Sequence, residues 1–214
     1  MLMESDCECQ DKDVEADSDA GVDADVDADV DSGVSAADVG ANAGVGANVA
    51  SGRTNQKINL RVWLKIPDAE AATVKNTLVR RLGFGKVLED VKKERLFSIE
   101  IDSGDPEEMA RRFAKELVNE NKESHKVLID TLEFEEGYVP VKVALHIEDG
   151  EAISTRERLR NRLGFKNVVD VKKATVWKLY FSLLRPEAEM NAREIAEKLL
   201  INPHKDTYEI LMSL

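Results

Sequence analysis

"RLGFGKVLEDVKK", residues 81–93, and "RLGFKNVVDVKK", residues 162–173, are nearly the same text written twice. Phe84 and Phe165 lie 81 positions apart, and the two "DVKK" stretches, at Asp90 and Asp170, lie 80 apart. The likeness extends outward from both. Upstream, "INLRVWLKIPD" (58–68) answers to "VPVKVALHIED" (139–149); downstream, "FAKEL" (113–117) answers to "IAEKL" (195–199), 82 positions on. The order is kept while the spacing drifts, as expected of two copies of one segment with small loop changes.

Each copy parses alike. Leu60, Val62 and Leu64 alternate with polar residues as a strand does, and so do Val141, Val143 and Leu145. A helix follows over 68–82, with Val74, Leu78 and Leu82 as its apolar stripe. In the second copy the helix is expected over 154–163, capped by Ser154 or Thr155. Gly83 and Gly164 end these helices because a residue without Cβ enters the left-handed conformation freely. Phe84 and Phe165 are expected to fold back on the last turn, so the "LGF" motif reads as a structural cap. Next, "KVLEDV" and "RLFSIEI" read as a hairpin turning at 92–94, and "NVVDV" and "TVWKLYF" as one turning at 172–174. A second helix begins at Asp105 and Pro106 with core residues Met109, Phe113 and Leu117; its counterpart presents Ala192, Ile195 and Leu199. A last strand closes each copy, from Lys126 and from Thr207.

The expected architecture is therefore α+β: two split βαβ, ferredoxin-like βαββαβ modules, at 57–135 and 136–214. So small a module is near the lower limit for a self-sufficient core, which favours pairing of the copies as an intrachain pseudo-dimer.

Charge divides the chain. Residues 1–56 carry 14 acidic and 2 basic residues; residues 57–214 carry 28 of each. The first segment alternates Asp with Ala and Val, has no aromatic residue, and reads as a disordered acidic low-complexity tail. Cys7 and Cys9 lie in it as loose thiols with no further Cys or His ligand nearby. Asp27, Asp29 and Asp31 have calcium-loop spacing, but Ser32 stands where that loop needs Gly and Asp38 where it needs Glu. No metal site is expected. The balanced remainder argues against a nucleic-acid or membrane-surface footprint. With no signal-peptide pattern and no apolar run of spanning length, a cytoplasmic location is expected.

No catalytic constellation is legible. His125, His146 and His204 fall in different elements, and no nucleophile, phosphate-loop or zinc motif occurs. The strongest surface features are Lys172 and Lys173 with their counterparts Lys92 and Lys93, and Arg156 and Arg160 four apart on one helix face. Either set suits an acidic partner or an anion. The βαββαβ order is also that of RNA-recognition domains, but "ERLFSIEI" and "TVWKLYF" lack their aromatic frame. A ligand-sensing regulatory tandem shares the fold class.

Strand, helix, "LGF", "V–DV–K", helix and "AEKLLINPHKDTYEI", in this order, resemble the small PurS subunit of phosphoribosylformylglycinamidine synthase. The second copy carries the pattern best, with Lys198, Leu199, Leu200, Asn202, Pro203 and Tyr208 in the closing segment. In the first copy Glu120 and Asn121 stand where Asn-Pro is expected, and Lys126 in the place of the aromatic. Both copies lack the family's Asp-Pro-Gln-Gly stretch, reading "DAEAAT" and "DGEAIS" instead. The resemblance implies a tandem PurS duplication with no activity of its own. Its role would be to bridge an ATP-dependent synthetase large subunit and a glutaminase subunit that together make an amidine. It further implies no cofactor bound by this chain, ATP, Mg and glutamine being used by the complex, and it allows a homo-dimer of the tandem chain. Arg156, Arg160, Lys172, Lys173, Asn202 and Pro203 are the candidate partner interface.

Overall fold

The computed structural model describes residues 55–212. The acidic segment, with its cysteines and Asp-rich run, lies outside the described residues. Two successive sets of elements share one order. The first is β1 (Gln56–Leu64), α1 (Ala69–Arg80), β2 (Leu88–Ile101), α2 (Pro106–Leu117) and β3 (Glu123–Ile129). The second is β4 (Val139–Leu145), α3 (Gly150–Glu157), β5 (Val168–Phe181), α4 (Arg185–Ile195) and β6 (Asp206–Ile210). The six strands form one sheet in the order β3-β1-β2-β5-β4-β6, every neighbouring pair antiparallel. The α+β class and the joining of the two halves within one chain match expectation.

The hairpins do not. Residues 88–101 and 168–181 each run as one 14-residue strand, so each half is β-α-β-α-β rather than βαββαβ. "KKE" and "KKA" contain no Gly, Asn or Asp to enter the left-handed geometry of a tight turn. Those residues pair instead with the other half: Lys92 with Lys178, Lys93 with Trp177, Arg95 with Thr175 and Phe97 with Lys173. The polar stretch is the centre of the β2–β5 pairing and not a turn.

Helices cover one sheet face, where they make two cores that mix the halves. In one, Ile58, Leu60, Phe97 and Ile99 pack with Met109 and Phe113 of α2 and with Leu159 and Phe165 from beyond α3. In the other, Leu78 of α1, Phe84 and Val91 pack with Trp177, Leu179 and with Ala192 and Ile195 of α4. Each half's "LGF" phenylalanine thus enters a core shared with the other half. Phe165 meets Phe113 edge to face, ring centroids 5.1 Å apart. Between the cores lie Lys93, Arg95 and Lys173, paired with Glu70, Glu123 and Glu151.

α1 starts at Asp68, whose Oδ1 accepts from the amides of Glu70 (2.8 Å) and Ala71 (3.2 Å). α3 starts earlier than the sequence suggests, because Asp149 caps it, accepting from Glu151 (2.9 Å) and Ala152 (3.1 Å). Ser154 sits one turn inside and its hydroxyl donates to the Gly150 carbonyl (2.7 Å). Asp149→Ala is expected to cost about 1 kcal/mol and Ser154→Ala less than about 0.5 kcal/mol, read as shifts in urea midpoint.

α3 continues into a π-helical turn, Arg158–Arg162, and α4 into another, Ala196–Leu200. The second has a plain cause. In the first half the helix closes with the Val118 amide donating to the Ala114 carbonyl, four residues back. At the same place the Ile201 amide reaches the Ala196 carbonyl, five back. The extra residue that changes the spacing from 82 to 83 is absorbed as one wide turn.

Candidate functional site

The sheet face turned from the helices carries Glu94, Leu96, Ala174, Val176 and Lys178, the alternate residues of β2 and β5. The connection between halves, 130–138, crosses it: Phe134 and Tyr138 bury against Leu96, Ala174 and Val176. Beneath this strap lies an ion cluster. Arg61, 1% exposed, donates from Nε to Glu94 Oε2 at 2.9 Å and from a terminal nitrogen to the Glu133 carbonyl at 2.8 Å. Its guanidinium stacks 4.2 Å from the Phe134 ring. Lys178 pairs with the same Glu94. Tyr138 donates to Glu135 Oε2 at 2.5 Å, and Arg61 lies 3.6 Å from that carboxylate. Burial disfavours the Arg61 charge, but the Glu94 hydrogen bond and charge outweigh it and raise its pKa.

Glu135 is held down to about 2, first by the Tyr138 hydrogen bond, against some burial, then by its own amide, Arg61 and Lys178. Tyr138 is raised, by burial and by donating to Glu135. A depressed carboxylate stabilises the fold fully above its unfolded value, 4.5, and loses that contribution as pH falls toward about 2. The acid limb of a stability–pH curve is expected to be shallower over that window in Glu135→Gln. Because Glu135 is half exposed, added salt should shrink the difference.

Two clefts open beside the strap, at equivalent places in the two halves. One lies between the start of α1 and β2–β5, with a volume of about 880 Å³; Trp63, Lys75, Asp90, Lys92, Lys178 and Tyr180 line it. The other lies between the start of α3 and the same strands, about 380 Å³, lined by Ala144, Arg156, Asp170, Lys172 and Lys173. The correspondence is residue by residue. Lys75 Nζ bonds Asp90 at 2.9 Å where Arg156 lies 3.8 Å from Asp170, and Lys93 pairs with Glu70 where Lys173 pairs with Glu151. Asp90 sits below its ordinary pKa; burial pushes it up, but bonds from Lys75 and the Val91 amide prevail. Lys173 is lowered, chiefly by burial and, against Asp149, by the like charges of Arg95 and Lys93. Leu64 and Ile66 stand exposed at one rim, Leu145 and Ile147 at the other. Neither lining contains cysteine or histidine. The chemistry on offer is charge and apolar contact.

Of the sequence-derived interface residues, Arg156, Lys172 and Lys173 meet in the second cleft. Arg160 is exposed in the π-helical turn and does not line it. Asn202 and Pro203 lie exposed in the α4–β6 turn, where Asn202 Oδ1 accepts from the His204 amide at 3.1 Å and its own amide donates to Asp206 at 2.7 Å. In the first half Asn119 makes the same pair of bonds, accepting from Asn121 (3.2 Å) and donating to Glu123 (2.9 Å). The counterpart of Asn202 is therefore Asn119, one residue before the position the sequence comparison assigned. The counterpart of Tyr208, which pairs with Val143, is His125, which pairs with Val62, and not Lys126. Gly83 and Gly164 are left-handed (φ 81° and 75°), and Phe84 and Phe165 are buried. Sequence reasoning missed Arg61, Trp63, Glu94 and Lys178. Their one signal was an arginine and a tryptophan on the polar phase of β1.

Residues 138–213 match the family model PurS, "Phosphoribosylformylglycinamidine (FGAM) synthase". No curated protein matches. Among solved structures, the crystal structure of an unknown protein from Galdieria sulphuraria is 8% identical, covering 74% of this chain and all of that one, with a TM-score of 0.20. The family match falls on β4 through β6, the half that holds the Arg156–Lys172–Lys173 cleft. Residues 138–213 are therefore a PurS-like domain, similar to the family described as phosphoribosylformylglycinamidine synthase.

Proposed function

We propose that this chain is a non-catalytic bridging subunit of phosphoribosylformylglycinamidine synthase, built as two PurS-like modules, 57–135 and 136–214. It joins the ATP-dependent synthetase subunit to the glutaminase subunit, binds no cofactor itself and works in the cytoplasm. The observation that carries the reading is the PurS match together with the repeated geometry of the first half: the Asp68 and Asp149 caps, the left-handed Gly83 and Gly164, and the Asn119 and Asn202 turns. Two equivalent clefts with exposed Leu and Ile at their rims and paired lysines in their walls suit docking of two acidic partner surfaces. Arg156, Lys172 and Lys173 serve the second cleft, while Arg160, Asn202 and Pro203 form the flank of the same half. A further homo-dimer of the chain would use the open edges β3 and β6.

The test is affinity capture on the purified chain from native lysate, with and without glutamine and Mg-ADP, and with the co-eluting proteins identified. Recovery of the synthetase and the glutaminase together supports bridging. Arg156→Ala with Lys172→Ala should then lose one of them. Recovery of neither under both conditions overturns the role.

A further inference from the structure

The two clefts are equivalent in position but not in chemistry. Among the substitutions that separate them, four change the character of the walls. Trp63, Glu94, Lys178 and Tyr180 of the first have Ala144, Ala174, Ser98 and Glu100 as their equivalents about the second. The first cleft is the larger, about 880 Å³ against about 380 Å³. Two aromatic rings wall it, and each has an ammonium against it: Lys178 Nζ lies 5.8 Å from the Trp63 ring and Lys92 Nζ 5.1 Å from the Tyr180 ring.

The ionic partners in this cleft are largely spoken for. Asp90 holds Lys75, Glu94 holds Arg61 and Lys178, and Glu70 holds Lys93. Asp68 caps α1. Lys92 is exposed and makes no salt bridge among the described residues; Asp90, whose charge it favours, is already paired with Lys75. Five lysines, Lys65, Lys75, Lys92, Lys93 and Lys178, face three carboxylates in the lining. The cleft therefore offers half-buried aromatic surface beside uncompensated positive charge. That combination fits a flat ring carrying strong negative charge, because the ring covers the aromatic walls while the anion meets Lys92.

We propose that the cleft between α1 and β2–β5 binds an aromatic phosphate: a planar ring bearing one or more phosphate groups, held by Trp63 and Tyr180 on the ring and by Lys92 on the phosphate. The second-half cleft lacks both aromatic walls and does not take this ligand. The site lies in one of the two clefts to which partner docking is assigned above, but it is argued from the cleft's own side chains, and its test needs no partner protein.

The chain has two tryptophans, Trp63 and Trp177. Trp177 is buried in a core on the helical face. Their indole N–H signals in a ¹H–¹⁵N spectrum of the full chain, assigned with Trp63→Leu, separate the cleft from the core. The probes are ADP without metal, adenosine, and inorganic pyrophosphate. ADP is expected to shift the Trp63 signal saturably and leave that of Trp177 in place. Adenosine and pyrophosphate should each bind at least about tenfold more weakly, each having lost one of the two recognition elements. Lys92→Gln, an exposed change that leaves the fold intact, should weaken ADP about tenfold, the worth of one charge-assisted hydrogen bond. Trp63→Leu should abolish saturable binding by calorimetry. A Trp63 signal unmoved by millimolar ADP overturns the site. Pyrophosphate binding as tightly as ADP reduces it to a simple anion site and overturns the aromatic part. Unchanged ADP affinity in Lys92→Gln overturns the assignment of the phosphate.

Discussion

Glu94→Ala is expected to lower the free energy of unfolding by about 3–5 kcal/mol. The carboxylate is 3% exposed and is shared by Arg61, 1% exposed, and Lys178, 12% exposed. Its removal leaves two cations under the 130–138 strap with one carboxylate nearby, the half-exposed Glu135, at 3.6 Å from Arg61 and 3.9 Å from Lys178. The net worth of the intact cluster is a separate and smaller quantity, because all its charges must give up water. Arg61→Met with Glu94→Leu and Lys178→Met should therefore recover most of the loss. Urea unfolding of the single and triple variants decides. A loss under about 1 kcal/mol in Glu94→Ala would mean that water reaches the cluster and that the strap does not seal it.

The second large effect belongs to Phe113→Ala, expected to cost about 3–5 kcal/mol. The ring is fully buried in the core formed by β1, β2, α2 and the segment after α3. It touches Phe165 across the boundary between the halves. Because that core is built from both, the loss should appear equally in a fluorescence probe of one half and a circular-dichroism probe of the whole, as one transition. A double-mutant cycle of Phe113→Ala with Phe165→Ala should give a coupling of roughly 0.5–1.5 kcal/mol. Two separated transitions would show that each half folds on its own and that the shared core is not cooperative.

Much of the local structure was legible because it depends on neighbours in sequence. The helices were announced by apolar spacing and by Asp105–Pro106, and their ends by Gly83 and Gly164, where only a residue without Cβ is at ease at φ 81° and 75°. Asp149 and Ser154 are both capping types, and composition alone cannot say which of the two begins the helix. The candidate site was partly legible. Arg156, Lys172 and Lys173 were selected by charge, and the fold does bring them to one cleft. Arg160, four residues from Arg156, leaves that group when the helix widens into a π-helical turn.

What the sequence by itself determined about this protein is the doubled order of helices and strands, the alternation that makes them amphipathic, and the acidic character of residues 1–56. Each rests on propensity, periodicity or charge within a few residues. Tertiary structure alone decided that Lys92–Glu94 and Lys172–Ala174 run straight, since a polar strand segment and a polar turn differ only in whether another strand is there to pair with. It also decided that Arg61, Glu94 and Lys178, 33 and 84 residues apart along the chain, share one buried charge balance. Only packing of the two halves could bring these charges together and exclude the water that would otherwise have screened them.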